Sequence, residues 1–222
     1  MRRSTLATAL ALTAAAVATS LVGAAPAQAT TMPAAMRAQY DHQYGTFTSF
    51  TKSGNTNATI VLPQNARSGI LLASHSGADE SLVVQELTSK GVVLDAPIAA
   101  SGDYAGRAAY GTDAWRKPAA LKVTAKGRWS LRFSQVSSAP ALTASGKGEN
   151  VMLYWGATAT RQFTCAASIS GGCMVRETLL RNDYETVLAS DGGTGKGGSK
   201  RITLSRGPSV LQVNAGSTWS FR

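Results

Sequence analysis

Two stretches decide how this chain reads: Pro118-Ala-Ala-Leu121-Lys-Val123-Thr-Ala125-Lys-Gly-Arg-Trp129-Ser130 and Pro208-Ser-Val-Leu211-Gln-Val213-Asn-Ala215-Gly-Ser-Thr-Trp219-Ser220. They are offset by 90 residues throughout and identical at six of thirteen positions. Leu121, Val123 and Ala125 alternate with Lys122 and Thr124, the period of a half-buried strand. Trp129 and Leu131 alternate with Ser130 and Arg132, and Lys126-Gly127-Arg128 between the runs suits a hairpin turn. The second copy repeats the scheme with Leu211, Val213, Ala215, Trp219 and Phe221, turning at Gly216-Ser217. The inward sets match and the outward sets have diverged, which is what a shared core produces. Trp129 and Trp219, in phase with the apolar spine, are therefore expected in cores and not on ligand platforms.

A fainter echo sits upstream at an offset of 93, where Asn57–Leu62 answers Asn150–Trp155 and Ile70 and Leu72 face Phe163 and Cys165. Two tandem modules of roughly 80 residues follow: a first over 54–133, a Ser/Ala/Pro-rich linker over 134–146 and a second over 147–222. Further strand candidates are Ile60–Leu62, Gly69–Ser74, Ser81–Leu87, Gly91–Leu94, Val151–Trp155, Arg161–Ala166, Met174–Leu180, Glu185–Leu188 and Arg201–Leu204. They are short, and Gly, Ser, Asn and Asp clusters separate them. The fold class read from this is all-β, two small β-sandwich domains in tandem. Helix signals are confined to Met32–Tyr40 and, ambiguously, Ser81–Leu87.

The chain opens with Arg2 and Arg3, an uncharged apolar run from Leu6 to Val22, and Ala27-Gln28-Ala29. Those are the parts of a secretory signal in order, so residues 1–29 are expected to be removed and residues 30–53 to form an N-terminal segment. A secreted or extracellular location without a membrane span follows. The Leu-x-Val-x-Ala-x-x-x-Trp ending, in tandem copies behind such a signal, resembles small secreted β-sandwich module proteins of actinobacteria. That resemblance implies the fold and the location, with no catalytic residue to carry over.

The sequence of 222 residues has 22 Lys+Arg against 12 Asp+Glu, a formal charge of +10. The charge is spread along the chain and no run of five like charges exists, so a nucleic-acid arm is not indicated. With two His and two Cys, no metal site and no cofactor is expected. Cys165 and Cys173 enclose a Gly-rich loop and are read as a disulfide, since export favours oxidation. Ser49-Phe-Thr-Lys52 matches S-x-x-K without its companion motifs. His75, in Ser74-His75-Ser76, reads as a surface or loop histidine and not as part of a triad. Asp191-Gly-Gly-Thr-Gly-Lys196-Gly-Gly-Ser-Lys200 fails the phosphate-loop pattern at both ends and reads as a flexible loop.

The function expected from these residues is non-enzymatic binding or association with the cell envelope. The partner would be an anionic cell-wall polymer, a glycan or a secreted protein. The candidate contacts are Trp115, Arg116 and Lys117 in one module and Lys196, Lys200 and Arg201 in the other, because loops on β scaffolds carry function. The competing reading is an inhibitor of secreted proteases or other hydrolases, presenting the disulfide-held loop 166–172.

Overall fold

Leu121, Val123 and Ala125 are buried while Lys122 and Thr124 face solvent, so the alternation read from the sequence carries through to the structure. A computed structural model describes residues 31–77, 81–115, 117–168 and 172–222; the stretch 1–29, expected to be a signal, lies outside the described residues. The first sandwich contains β1 (Phe50–Gly54), β2 (Ala58–Val61), β3 (Gly69–Ser76), β4 (Ser81–Leu87), β5 (Val93–Ser101), β6 (Tyr104–Tyr110), β7 (Ala120–Ala125) and β8 (Arg128–Ser134). The second contains β9 (Ser145–Lys147), β10 (Asn150–Tyr154), β11 (Ala159–Cys165), β12 (Cys173–Leu179), β13 (Tyr184–Ser190), β14 (Gly198–Leu204), β15 (Ser209–Ala215) and β16 (Thr218–Phe221). Among the described residues the α-helix α1 (Ala34–Tyr44) precedes them.

Each sandwich packs two four-stranded antiparallel sheets, and the strand orders correspond. β1-β8-β3-β6 and β2-β7-β4-β5 in the first match β9-β16-β11-β14 and β10-β15-β12-β13 in the second. Separate cores fill them: Leu71, Leu82, Ile98, Leu121 and Phe133 in one, Met152, Phe163, Val175, Leu211 and Phe221 in the other. Trp129 and Trp219 are 5% and 3% exposed. Each indole lies over a glycine of the edge strand, Gly54 or Gly146, where a methyl group would approach to 2.7 or 2.3 Å. Their ring N–H groups donate to Thr56 O (2.8 Å) and Gly148 O (2.9 Å). A Trp can be buried this fully because its one polar atom has a partner.

Strand pairing corrects the upstream echo. Ile60 and Met152 stand opposite Leu121 and Leu211. Ala73 and Phe163 stand opposite Leu131 and Phe221. The equivalences are thus Ile60 with Met152 and Ala73 with Phe163, not the offset of 93. A slip of an odd number of residues exchanges the inner and outer faces, and Leu72 is indeed 44% exposed where Cys165 is buried. Three strands went unread: β1, β6 and β9. Ser81–Leu87 is strand, and the helix starts two residues after Met32 and runs on to Tyr44.

The sandwiches meet along a third apolar cluster that includes Tyr40, Tyr44, Ile70, Val136, Leu153 and Val210. Tyr40 is fully buried, and its hydroxyl lies 2.9 Å from Ser209 O and 3.1 Å from Tyr154 O, both in the second sandwich. Gln43 donates to the Asp183 carboxylate at 2.5 Å, and Arg37 donates to Ser137 O at 3.1 Å. The N-terminal helix therefore wedges the seam and fixes how the two sheets pairs stand.

Candidate ligand-binding surfaces

The sequence-derived contacts do not converge. Trp115 is 86% exposed on the β6–β7 connection, and Arg116 beside it lies outside the described residues. Lys117 has an exposed stem, yet its ammonium turns inward to donate to Gly111 O (2.8 Å) and Ser68 Oγ (3.1 Å) and sits 5.4 Å from the Tyr44 ring centroid. Desolvation draws its pKa below the ordinary lysine value, although Asp183, Asp113 and Glu86 oppose that. Lys117 is thereby occupied in the seam. Lys196 is exposed on the β13–β14 loop. Lys200 and Arg201 are neighbours on β14, so they project from opposite faces. Lys200 lines a cavity of about 240 Å³ with the cystine, and Arg201 stands on the outer face.

The glycine-rich loop holds its own anion. The Gly193 N–H donates to Asp191 Oδ1 at 2.9 Å. Desolvation works to raise the Asp191 pKa, but backbone donors from Cys173, Gly193, Gly197 and Gly195 hold it below the ordinary carboxylate value. Gly192, Gly193, Gly195 and Gly197 all have φ between 66° and 76°, which lets the amides turn inward. The Cys165–Cys173 disulfide is formed, and the described part of its loop is pinned here, Ser168 N–H donating to Gly195 O at 2.8 Å.

Two features escaped the sequence reading. His75 is 4% exposed, not a surface or loop residue. Its Nδ1 lies 2.8 Å from Gly102 O and its Nε2 2.5 Å from Lys126 O. Pairing sets His75 opposite Trp129 as Cys165 is opposite Trp219. The histidine thus occupies the position of the disulfide and ties β3 to two turns by hydrogen bonds instead of a covalent link. The second is a pair of buried carboxylates, Glu86 and Glu177, 3% and 1% exposed, opposite the equivalent Leu121 and Leu211. Glu86 accepts from Gly111 N–H (3.2 Å); Glu177 accepts from Ser205 N–H (3.1 and 3.2 Å) and Ser209 Oγ (2.9 Å). Gly111 and Ser205 directly follow β6 and β14, so each glutamate clasps one sheet to the other. The repeated Val-x-Glu of Val84–Glu86 and Val175–Glu177 was the available signal.

The residues that do converge are cationic and lie on a sheet face. Across β1-β8-β3-β6 the pairing sets Thr51, Arg132, Leu72 and Arg107 in one outward row. The next row holds Ser53, Ser130, Ser74 and Ala105. Lys147, Glu149 and Asn150 of the second sandwich rise beside it as a wall, closing a groove of about 590 Å³. The Arg107 N–H donates to Glu149 O and its Nη1 to Asn150 Oδ1, both 3.2 Å, which locks floor to wall. Glu149 is the one carboxylate in the lining. Desolvation raises its pKa against the pull of Tyr104, Asn214 and Arg176, and the Tyr104 hydroxyl donates to it. A further trough of about 530 Å³ shares Ser74 and Ser130 and continues along the face to Asn55 and Arg128. The surface is a shallow, small-side-chain floor edged by guanidinium and ammonium groups. Among the described residues no group of acidic, His or Cys side chains could hold a metal ion.

No family model matches the chain, and no curated protein matches it. Among solved structures, a cAMP-bound PfPKA-R is similar over 86% of this chain and 82% of its own, at 8% identity and a TM-score of 0.24. The structure of Sulfolobus Turreted Icosahedral Virus is similar over 78% and 89%, at 9% identity and a TM-score of 0.23. Likenesses this slight carry no argument about function.

Proposed function

We propose that this is an exported, non-enzymatic binding protein that takes an anionic wall polymer or glycan into the groove between its two sandwiches. The observation that carries the reading is the convergence of Arg107, Arg132 and Lys147 on one groove whose single carboxylate is already engaged by Tyr104 and Asn214. Guanidinium groups offer paired donors to phosphate or carboxylate oxygens, and low-dielectric walls focus their field. The hydroxyls of Ser74, Ser130 and Thr51 supply neutral partners for a polyol or sugar backbone. Export is supported by the N-terminal pattern of the sequence and by the disulfide. No helix among the described residues is long and apolar enough to cross a membrane.

The test is retention on purified, protein-free cell wall. Wild-type protein is expected to bind at low salt and elute below about 0.5 M, where screening shortens the reach of charge to a few ångströms. A triple Arg107→Ala, Arg132→Ala, Lys147→Ala variant is expected to lose at least tenfold in affinity while Lys196→Ala with Lys200→Ala changes little. Undiminished binding by the triple variant refutes the groove.

The inhibitor reading keeps one supporting observation, that the Cys165–Cys173 bridge closes the loop 166–172. A rigid loop lowers the ordering cost of binding. Titration against serine and metalloproteases tests it, and no loss of protease activity at micromolar dose refutes it.

A further inference from the structure

The outer face of the second sandwich repeats the groove floor. Gln162 stands between Arg222 and Arg201, as Leu72 stands between Arg132 and Arg107. Gln162 and Arg222 exchange backbone hydrogen bonds of 2.7 and 3.0 Å, which fixes the row. The hydroxyl row recurs as well: Ser145, Ser220, Thr164 and Ser199 answer Ser53, Ser130, Ser74 and Ala105. Arg201, Arg222, Thr164 and Ser199 are exposed, so none is kept for packing. None of the four arginines is ion-paired among the described residues.

Outward positions elsewhere in the duplication behave differently. On the opposite sheets Lys122 and Thr124 correspond to Gln212 and Asn214, and Gln85 corresponds to Arg176. Gln212 accepts from the Ala109 N–H, Asn214 donates to Glu149 and Arg176 pairs with Glu185 at 3.7 Å, so these positions have taken on different roles in the two copies. Within the two rows the arginines Arg132 with Arg222 and Arg107 with Arg201, and the hydroxyls Ser130 with Ser220 and Ser74 with Thr164, are kept although no core holds them, while Leu72 with Gln162 and Ala105 with Ser199 differ.

Lys147 stands between the two faces. Lys147 is paired with Thr218 on β16, on the outer side of the second sandwich's sheet, and it lines the groove of the first. A ligand leaving Arg107 meets Lys147, beside Thr218, and then runs diagonally past Ser220 to the row Arg222, Gln162, Arg201. With strands about 4.8 Å apart and a rise of about 3.3 Å per residue, Arg132 to Arg107 spans roughly 10 Å, and Lys147 to Arg201, three strands across and four residues along, roughly 20 Å.

Building on the groove reading above, we infer that the Arg222–Gln162–Arg201 face is a second copy of the site, and that one linear, phosphate-bearing polyol polymer engages both sandwiches at once. The walled groove binds each segment more tightly than the open face. Linking two such segments in one polymer makes the second contact intramolecular.

Isothermal titration with poly(glycerol phosphate) of about three units and of about twenty units tests this. The short oligomer is expected to fill two unequal sites, and the long one to bind one-to-one at least tenfold more tightly. Arg201→Ala with Arg222→Ala should leave one short-oligomer site and bring the long polymer down to short-oligomer affinity. Arg201→Lys with Arg222→Lys should restore part of the loss. Long-polymer affinity unchanged in the Arg201→Ala, Arg222→Ala protein overturns the second site and leaves the groove standing. Failure of the wild-type protein to bind either length overturns both. Equal binding of polygalacturonate overturns the assignment to phosphate.

Discussion

Glu177 offers the sharpest test of how the sandwich is held closed. It is 1% exposed, and its carboxylate satisfies the Ser205 N–H at 3.1 and 3.2 Å and the Ser209 hydroxyl at 2.9 Å. Ser209 is fully buried, so no bulk water replaces a lost partner there. In Glu177→Ala the orphaned amide and hydroxyl each cost about 1–2 kcal/mol, and the space left by the side chain adds about 1 kcal/mol. The total of roughly 3–5 kcal/mol is a large share of the 5–15 kcal/mol typical of a domain. Glu177→Gln keeps the shape and one acceptor but loses charge assistance, and should cost about 1–2 kcal/mol. Urea unfolding of the second sandwich, followed by the near-ultraviolet signal in a Trp129→Phe background so that Trp219 is the buried indole, measures both. The midpoint should fall in that order with an unchanged denaturant slope. A loss under about 1 kcal/mol for Glu177→Ala, or equal losses for the two variants, would refute the clasp.

Three further outcomes are expected. Replacing Cys165 and Cys173 by Ala should destabilise the second sandwich by roughly 2.5 kcal/mol, from the loop entropy of a bridge with sequence separation 8, and leave the first unaffected in unfolding monitored by domain-specific labels. The pairing equivalences place His75 and Leu82 where Cys165 and Cys173 stand, Leu82 being opposite Ala125 as Cys173 is opposite Ala215. A His75→Cys, Leu82→Cys protein should therefore form a second disulfide, read as loss of two hydrogens by mass spectrometry; two titratable thiols in the folded, oxidised protein would contradict the equivalence. Glu149 has a folded pKa raised above its ordinary 4.5, chiefly by desolvation. The folded chain then holds that proton longer than the unfolded one, so its contribution to stability declines as pH rises from about 4.5 through the raised value. Glu149→Gln should flatten that slope in urea titrations across the same range.

Much of the fold was legible because a half-buried strand writes its burial into alternate residues. Leu121-x-Val123-x-Ala125 and Trp129-x-Leu131 show it, and the copy 90 residues on confirmed which set points inward. β6, Tyr104–Tyr110, escaped because Ala, Gly and Tyr mix polar and apolar character without a clear period. His75 was misread for a related reason: a histidine looks hydrophilic alone, and only the turns ending at Gly102 and Lys126 supply the carbonyls that let it be buried. Lys117 looked like a free cation until the fold gave its ammonium Gly111 O, Ser68 and Tyr44. Of the six candidate contacts, Arg201 is the one that belongs to a row of outward arginines.

By itself the sequence determined the all-β class, the duplication, the buried tryptophans and the available disulfide, because each is written in local period or in the repetition of a local pattern. Tertiary structure alone decided that Arg132 stands beside Leu72 and Arg107, that Arg222 stands beside Gln162 and Arg201, and that Lys147 of the second sandwich lines the groove on the first. Those neighbours are far apart along the chain and meet only across strand pairings and the interdomain seam. A surface charge bears no packing constraint that would announce its partners in advance.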